Sequence, residues 1–281
     1  MAARMDKQEY KAMKQGEQKE LQHKLSNFLK DAIETKDGIA DLVAHYRISG
    51  LYGFSMYNSL LIKLQGGTIC QSYDNWKKLN RCVIKGEKSH ISIFLPMFRK
   101  EKQIDGTDES KLIGFKLVPT FDILQTSGEP LKYDHNSSET LDIPYTKVAK
   151  VMTELTGVDV VEEFTGEARG WTDGSKLVVS SMSNATDKCK TVIHEAIHAL
   201  LHIGKNSENL SRDTKEVEAE STTYLVLAYL GMDFDLSKTY VNSWQAGIAD
   251  ARTDLIIKTA DKVIKSLKKE LTIEEQFLMA V

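Results

Sequence analysis

Residues 194–202 of this 281-residue chain read His-Glu-Ala-Ile-His-Ala-Leu-Leu-His, which contains the pattern H-E-x-x-H. Residues four apart lie on one face of an α-helix, so the imidazoles of His194 and His198 can reach the same zinc ion. Glu195 lies beside that face, where its carboxylate can accept a proton from a metal-bound water molecule. The stretch therefore predicts a helix with two zinc ligands and a catalytic base.

The residues around the motif are largely apolar. They are Val192, Ile193, Ile197, Leu200 and Leu201. An unpaired polar group in a protein core costs roughly 1–3 kcal/mol, so ionisable side chains on a buried helix need partners. The alternative is a helix whose histidines are hydrogen-bonded at the surface, since so short a motif also occurs without a metal. The apolar neighbours favour the metal site.

A zinc hydrolase site needs a third protein ligand, and residues 216–221, Glu-Val-Glu-Ala-Glu-Ser, offer three candidates. Glu216 and Glu220 share a helix face, whereas Glu218 lies about 160° away. In this interpretation one of the pair binds zinc and the other holds a ligand imidazole through its second N–H. A solvated charged face is the alternative. His202 lies about 6 Å of helix rise beyond His198, which favours a core or rim position over coordination.

The periodicity of apolar residues and the turn residues predict an α+β fold. Helices are predicted over the motif, at the C-terminal end, and at residues 18–48, 55–64, 73–81, 145–156, 213–230 and 249–269. Strands are predicted at residues 90–97, 112–121 and 158–164, with a charged loop at 100–111 and a hairpin at 168–181. The polar segment 127–143 is the candidate linker between an N-terminal domain, residues 1–126, and a C-terminal domain, residues 144–281.

The net charge of −3 conceals an uneven distribution. Residues 1–120 hold 20 Lys and Arg against 14 Asp and Glu, a balance of +6, and the rest of the chain holds 17 against 26, a balance of −9. This asymmetry suggests two functions on one chain. The basic half is the candidate for binding a polyanion.

No stretch approaches 18 consecutive apolar residues, so neither a transmembrane helix nor a membrane partner is expected. The segment Met1 to Glu20 is polar and rich in lysine, without the apolar core of a secretory signal. The cysteines Cys70, Cys82 and Cys189 form no C-x-x-C pair. Their odd number and spacing are typical of a reducing compartment, so the expected location is the cytoplasm.

Residues 76–102 combine cations with aromatic rings. The cations are Lys77, Lys78, Arg81, Lys85, Lys88, Arg99, Lys100 and Lys102, against only Glu87 and Glu101. The rings are Trp76, Phe94 and Phe98, with Tyr73 just before them. Cations that contact phosphates and rings that stack on bases bind single-stranded nucleic acid, at roughly 1–3 kcal/mol per stacked base. A tryptophan in a short helix is also often a core residue, so Trp76 has two interpretations.

The hairpin, the motif helix and the glutamate-rich helix together resemble the ImmA/IrrE type of zinc metallopeptidase. The resemblance implies a compact zincin core with a glutamate as third ligand, in a pattern like E-x-x-A-N. Glu216-x-x-Ala219-Glu220 matches that pattern except at Glu220, which replaces the asparagine. By this resemblance Glu216 is the third zinc ligand, and the departure at Glu220 leaves the choice among Glu216, Glu218 and Glu220 open.

Three stretches of the basic half are similar to the N-terminal domain of ArdC-type antirestriction proteins. They are Phe54–Ile62, Trp76–Lys88 and Phe121–Thr126. That domain followed by an ImmA/IrrE-like zincin is the ArdC architecture, and the resemblance implies single-stranded DNA binding and protection of a mobile element or phage from restriction. The implied DNA contacts are Tyr57, Trp76, Lys77, Lys78, Arg81, Lys85 and Lys88.

Together these features predict a DNA-binding N-terminal part and a zinc-peptidase-like C-terminal part. Glu195 activates water for attack on a peptide carbonyl, the exposed strand of the hairpin aligns the peptide, and Tyr240 donates to the oxyanion. Two other hypotheses stay open. One is a DNA-binding shield whose zinc is structural, and the other is a regulator that cleaves a repressor. Such a regulator more usually carries a helix-turn-helix, which the sequence does not clearly show.

Overall fold

The computed structural model describes residues 6–102, 108–131, 143–203 and 209–271. The helices are α1 (Lys7–Ile33), α2 (Lys36–Leu51), α3 (Met56–Leu64), α4 (Tyr73–Lys78), α5 (Tyr145–Thr156), α6 (Ala185–His202), α7 (Arg212–Leu230), α8 (Lys238–Gly247) and α9 (Thr253–Leu271). The strands are β1 (Cys70–Gln71), β2 (Arg81–Val83), β3 (Ile91–Lys102), β4 (Asp108–Asp122), β5 (Thr126–Gly128), β6 (Asp159–Glu163), β7 (Gly170–Thr172) and β8 (Lys176–Ser180). Helices and small sheets are mixed, as predicted.

The N-terminal helical region is divided in two, where the sequence pattern predicts one helix over residues 18–48. α1 ends at Ile33 and α2 begins at Lys36. Between them Thr35 is extended, and its side chain accepts a hydrogen bond from a backbone amide in the first turn of α2. Apolar residues keep helical spacing on both sides of this cap, which is why the pattern alone does not reveal the break.

β3 and β4 form a long antiparallel hairpin. The ladder runs from the pair Ile91 and Thr120 to the pair Lys102 and Asp108. Strand pairing therefore extends into the segment 100–111, which the sequence pattern wrongly predicts as a loop. Charged side chains on both faces of a solvated ribbon leave its backbone ladder intact. β1 pairs with the other edge of β4, which gives the order β1-β4-β3.

The predicted linker, residues 127–143, begins inside a strand. β5 pairs with β2, and Ser127 lies opposite Cys82 in the antiparallel register. The first residues of the predicted linker are therefore held by strand pairing. Residues 132–142 of that segment lie outside the described residues.

The C-terminal sheet has the order β6-β8-β7, with β6 parallel and β7 antiparallel to β8. β7 and β8 form the predicted hairpin, and Asp173 in its turn accepts hydrogen bonds from the amide and hydroxyl of Ser175. In the central strand β8, Leu177 and Val178 are fully buried. Among the described strands, β7 lies at the edge of this sheet, and it packs against α6.

One apolar core connects the N-terminal helices to the C-terminal ones. Leu29 of α1, Ile197 of α6 and Ile264 of α9 belong to the same buried cluster. The core therefore does not divide at the predicted linker. The proposed division into domains at residues 1–126 and 144–281 stays a prediction.

The last helices differ in part from the predicted ones. α8 has no counterpart in the sequence-based prediction, and α9 begins at Thr253 rather than at residue 249. α7 matches its predicted span to within one residue and is followed by Gly231, whose φ of 70° is the left-handed conformation typical of helix ends. The helix predicted at the C-terminal end falls in residues 272–281, outside the described ranges. Among the described residues, no helix has the length and apolar character needed to cross a membrane.

Candidate metal centre

The motif residues lie in the C-terminal half of α6. Asn184 caps the start of this helix, since its side chain accepts a hydrogen bond from a backbone amide in the first turn. Its residues Val192 and Ile197 are fully buried, as expected for a buried helix. His194 and His198 lie one turn apart, and their Nε2 atoms are separated by 3.1 Å.

The third member of the site comes from α7, which packs against α6. Oε2 of Glu216 lies 3.7 Å from Nε2 of His198. One ligand atom from each of His194, His198 and Glu216 lies within 4.8 Å of the other two. Atoms that bind a tetrahedral zinc ion at about 2.0–2.1 Å lie about 3.3 Å from one another. The donor set and its spacing therefore fit a divalent metal ion.

The protonation states of these residues also suit a metal. Burial and the neighbouring His198 lower the pKa of His194 to about 4. The adjacent imidazole of His198 lowers the pKa of Glu216. At neutral pH His194 is therefore a neutral imidazole and Glu216 a carboxylate, which are the forms that bind metal ions.

Glu195 lines the same groove as the three ligand candidates. Burial raises the pKa of Glu195 to about 7; His198 opposes this shift and the carboxylate of Glu216 adds to it. A carboxyl group that titrates near neutral pH can accept a proton and return it. The groove has a volume of about 430 Å³ and lies between β7 and the facing turns of α6 and α7.

β7 forms one wall of this groove because Gly170 lets it approach α6 closely. A Cβ atom at this position would lie 2.5 Å from Cγ2 of Thr191, 2.5 Å from the carbonyl oxygen of Val178 and 3.6 Å from Cγ of Glu195. No larger residue fits without moving the strand or the helix. The glycine therefore places an edge strand beside the motif.

The other two glutamates of α7 lie away from the ligand cluster. Glu218 is fully buried and pairs with Arg252 and His202. Burial alone would raise the pKa of Glu218, but hydrogen bonds from Arg252 and His202 lower it to about 2. Glu220 accepts a hydrogen bond from the hydroxyl of Ser237, so the prediction that it holds a ligand imidazole is wrong.

Tyr240 is not part of the groove, and its predicted role at the oxyanion is wrong. Its side chain is 1% exposed. Its hydroxyl donates a hydrogen bond to the carbonyl of Ile33 and lies 3.2 Å from the hydroxyl of Ser221. α8 packs on α7, so Tyr240 faces the core and the end of α1 rather than the motif.

The groove is also lined by residues that the sequence pattern does not reveal, among them Trp171 on β7 and Arg212 on α7. Arg212 precedes Glu216 by one helical turn. Once Glu216 is taken as a ligand, this spacing places Arg212 on the same side of α7. Trp171 follows Gly170, and only the packing of β7 against α6 locates it beside the site.

Trp76, predicted to contact DNA, belongs to the core. Its side chain is fully buried, and its Nε1 donates a hydrogen bond of 2.8 Å to the carbonyl of Phe121. Stacking on a base needs an exposed ring face, which this ring does not offer. The core interpretation of Trp76 is confirmed, and the predicted DNA contact is wrong.

Arg81 lies on β2, because α4 ends at Lys78 rather than at residue 81. Its guanidinium donates hydrogen bonds to the hydroxyl and the carbonyl of Thr126 and to the carbonyls of Gly128 and Glu129. These bonds hold β2 against β5. The structure thus gives Arg81 a bracing role in place of the predicted contact with phosphate.

The other predicted DNA contacts remain accessible to different degrees. Lys77, Lys78, Lys85 and Lys88 are exposed. The Nζ atom of Lys77 lies 4.6 Å from the ring centre of Tyr73, which is itself 49% exposed. Tyr57 is half-buried, and its ring packs edge-on against Phe94.

Comparisons with known proteins find partial similarities. The chain is similar to the metal-free crystal structure of the antirestriction protein ArdC from plasmid R388, with a TM-score of 0.41 and 23% identity over 78% of this chain and 84% of that one. The Mn(II)-bound structure of that protein gives a TM-score of 0.43 and 20% identity over 84% and 98%. No family model matches this chain.

A curated relative is an uncharacterized protein of Bacillus anthracis, 29% identical over 109 residues. The match covers 34% of this chain and 18% of that protein, so the chain spans less than a fifth of the relative's length.

A second, larger cleft of about 1400 Å³ lies between α1, the β3–β4 hairpin and the start of α9. Tyr57 and Phe94 line it. The hairpin also exposes large apolar side chains, among them Phe98 at 59% and Phe115 at 50%. Because Arg99 and other cations of the hairpin are exposed too, this region combines accessible rings with positive charge.

Proposed function

We propose that this chain is an antirestriction-type protein of a mobile element or phage, with a zinc-dependent endopeptidase-like site and affinity for single-stranded DNA. The observation that carries the proposal is the convergence of ligand atoms from His194, His198 and Glu216, with Glu195 in the same groove. The sequence resemblance to ArdC-type proteins supports the link to DNA and restriction. The competing hypothesis is a DNA-binding shield whose metal is only structural.

A zinc ion held by these three residues would polarise a peptide carbonyl and acidify a water molecule at its open position. Glu195 accepts a proton from the attacking water, because its carboxyl lies in the groove and titrates near neutral pH. As the water oxygen bonds to the carbonyl carbon and the C–N bond breaks, Glu195 returns that proton to the leaving amine.

The walls of the groove orient the substrate in this proposal. β7 is an edge strand in the described part of the sheet, so an extended peptide can pair with its backbone. Arg212, exposed in the first turn of α7, supplies positive charge where the oxyanion develops, the role that the sequence pattern predicts for Tyr240. The preference for extended, unstructured segments follows from this strand pairing.

The N-terminal half supports the proposed DNA binding. Lys77, Lys78, Lys85 and Lys88 are exposed and available to phosphates, while Phe98 has an accessible ring. Stacking on rings and contact with phosphates favour single strands, whose bases are open. Duplex DNA hides its bases from such rings, so we expect the single-stranded form to bind more tightly.

Metal analysis tests the ligand assignment. The wild type loaded with zinc and then desalted is expected to retain one ion per chain, and His198→Ala is expected to lose it, because a site with two ligands binds weakly. His90→Ala removes an exposed histidine outside the groove and serves as the control. Full zinc content in His198→Ala would overturn the assignment.

The third ligand is tested by a matched pair on α7. Glu216→Gln and Glu220→Gln change the same chemical group one helical turn apart, but only Glu216 lies in the groove. We expect zinc loss in the first variant alone. Loss in Glu220→Gln with retention in Glu216→Gln would move the third ligand to Glu220.

Catalysis is tested with zinc-loaded protein and fluorescently labelled casein, an unstructured substrate. Glu195→Gln is expected to retain zinc and to lose activity by at least the roughly 10²–10⁴-fold typical of a missing general base. Wild-type protein that binds zinc and cleaves neither casein nor a panel of restriction proteins would favour the shield. Equal cleavage by wild type and variant would refute the role of Glu195.

A further inference from the structure

His202 and Glu218 form a buried chain of hydrogen bonds that ends on a proposed metal ligand. Nδ1 of His202 lies 3.1 Å from Nδ1 of His198, and Nε2 of His202 lies 3.0 Å from Oε2 of Glu218. The exposed fractions of the His202 and Glu218 side chains are 5% and 0%. The proposed peptidase reaction uses neither residue.

The direction of these hydrogen bonds follows from the chemistry of imidazole. A neutral imidazole that offers Nε2 to a metal carries its proton on Nδ1, so His198 must donate from Nδ1. Nδ1 of His202 then accepts, and His202 carries its own proton on Nε2. The carboxylate of Glu218 accepts that proton, so the three residues form one consistent chain.

Arg252 anchors the far end of this chain. Its backbone amide and Nε donate to Oε1 of Glu218 at 2.7 and 2.9 Å, and its Nη2 donates to Oε2 at 2.6 Å. Nη2 also reaches the carbonyl of Leu201, the neighbour of His202 on α6. Arg252 therefore fixes the position of Glu218 on α7 relative to the end of α6.

We propose that His202 and Glu218 are positioning residues that hold His198 in the tautomer and ring orientation that bind the metal. The inference rests on the proposed metal site. The arrangement differs from a direct carboxylate–imidazole pair, because a second imidazole stands between the ligand and the carboxylate. A partner that accepts the distal N–H of a ligand histidine raises the basicity of that ligand and fixes its orientation.

The test compares zinc affinity across variants of the full chain, by competition with a chromophoric chelator. His202→Leu removes the acceptor for His198, whereas His202→Asn keeps an oxygen near the position of Nδ1. We expect zinc binding to weaken about 10- to 100-fold in His202→Leu, as is typical when a ligand loses such a partner, and to recover in part in His202→Asn. Glu218→Gln is also expected to weaken zinc binding.

Glu220→Gln provides the matched control, since it makes the same change on α7 outside the chain. Its zinc affinity should equal that of the wild type. Unchanged affinity in folded His202→Leu and Glu218→Gln, with thermal unfolding as the check on folding, would refute the inference. Wild-type protein that binds no zinc would instead refute the proposed function.

The tautomers in the zinc-loaded wild type give a second test. ¹⁵N NMR of its histidine side chains should show a proton on Nδ1 of His198 and on Nε2 of His202. A proton on Nδ1 of His202 would overturn the inference even where zinc binds, because this nitrogen could then not accept a hydrogen bond from His198.

Discussion

The hydroxyl of Tyr240 donates a hydrogen bond of 2.7 Å to the carbonyl of Ile33, the last residue of α1. The last carbonyls of a helix have no partner inside it. Tyr240 satisfies one of them and thereby ties α8 to the N-terminal helices. A residue that the sequence pattern places in catalysis is thus a link between distant parts of the chain.

Tyr240→Phe is expected to destabilise the protein and to leave its zinc content unchanged. Loss of the hydroxyl leaves the buried carbonyl of Ile33 without this partner, which costs about 1–3 kcal/mol. Urea unfolding measures the free energy of unfolding. Tyr10→Phe removes a hydroxyl from a 53% exposed ring on α1 and should have little effect. A loss of zinc in Tyr240→Phe without loss of stability would contradict this assignment.

Glu195→Gln is expected to raise the stability of the metal-free protein at high pH. The pKa of Glu195 is about 7 in the folded state, against an ordinary value of 4.5. Between these two pH values the folded state binds more protons than the unfolded state, so ionisation destabilises the fold as pH rises. Glutamine does not titrate. The advantage of the variant should therefore grow by at most about 3 kcal/mol from pH 4 to pH 8.

His194 has the opposite effect on the pH dependence of stability. Its pKa is about 4 in the folded state, against an ordinary value of 6.5, so the unfolded state binds more protons in this window and stability rises with pH. In the wild type the two residues change the free energy of unfolding in opposite directions as pH rises. In Glu195→Gln only His194 contributes, so the stability of the variant should increase with pH. Urea unfolding at several pH values, with a chelator present, measures both curves. Parallel stability curves for the wild type and Glu195→Gln would show that Glu195 has an ordinary pKa. Glu167→Gln, at an exposed position, serves as the control.

Gly170→Ala is expected to destabilise the protein by about 1–3 kcal/mol, the usual cost of overpacking. The new methyl group would lie 2.5 Å from both Thr191 Cγ2 and the carbonyl oxygen of Val178. Gly16→Ala is the control, because its added methyl group meets nothing within 4 Å beyond its chain neighbours and the nearby backbone of α1. Alanine favours a helix over glycine, so that variant should be slightly more stable. Equal stability of Gly170→Ala and the wild type would contradict the close contact between β7 and α6.

The motif helix could be predicted because its signals are local. The spacing of His194 and His198 follows from the helical repeat, and the apolar residues between them mark the buried face. One short stretch therefore contains two ligand candidates and the proposed base, Glu195. The hairpin before it is equally local, since its turn residues are adjacent in sequence.

The choice among the glutamates of α7 needed tertiary structure. Helical spacing relates Glu216 to Glu220, but the crossing of α7 over α6 decides which turn faces the histidines. Glu216 lies in the groove, whereas Glu218 is fully buried against Arg252, some 34 residues further along the chain. A contact between residues so far apart in the sequence leaves no signal in the pattern of α7 itself.

Trp76 and Tyr240 show a second limit of sequence patterns. A large ring with one polar atom suits a binding site or a core equally well, provided that its polar atom finds a partner. In both residues the partner is a backbone carbonyl, of Phe121 and Ile33, which carries no signature in the sequence. Accessibility alone separates the two roles, and it depends on tertiary packing.

Single-stranded DNA binding is expected to depend on the exposed lysines and not on the buried tryptophan. Replacement of Lys77, Lys78, Lys85 and Lys88 by alanine in the full chain should weaken binding to a thymine 20-mer. The salt dependence of log Kd should flatten by about 0.7 for each phosphate that the variant no longer neutralises. Fluorescence anisotropy over a series of salt concentrations measures both the affinity and the slope.

The matched control removes four exposed lysines from the acidic half of the chain: Lys147, Lys150, Lys262 and Lys269. The net charge falls equally in both quadruple variants, so a general effect of charge would weaken both alike. If the N-terminal lysines form a specific binding surface, DNA binding weakens only in the first quadruple variant. Phe98→Ala should lower affinity without a change of slope, because an exposed ring contributes stacking and no charge. Equal affinity of the first quadruple variant and the wild type would show that these lysines are an ordinary solvated surface.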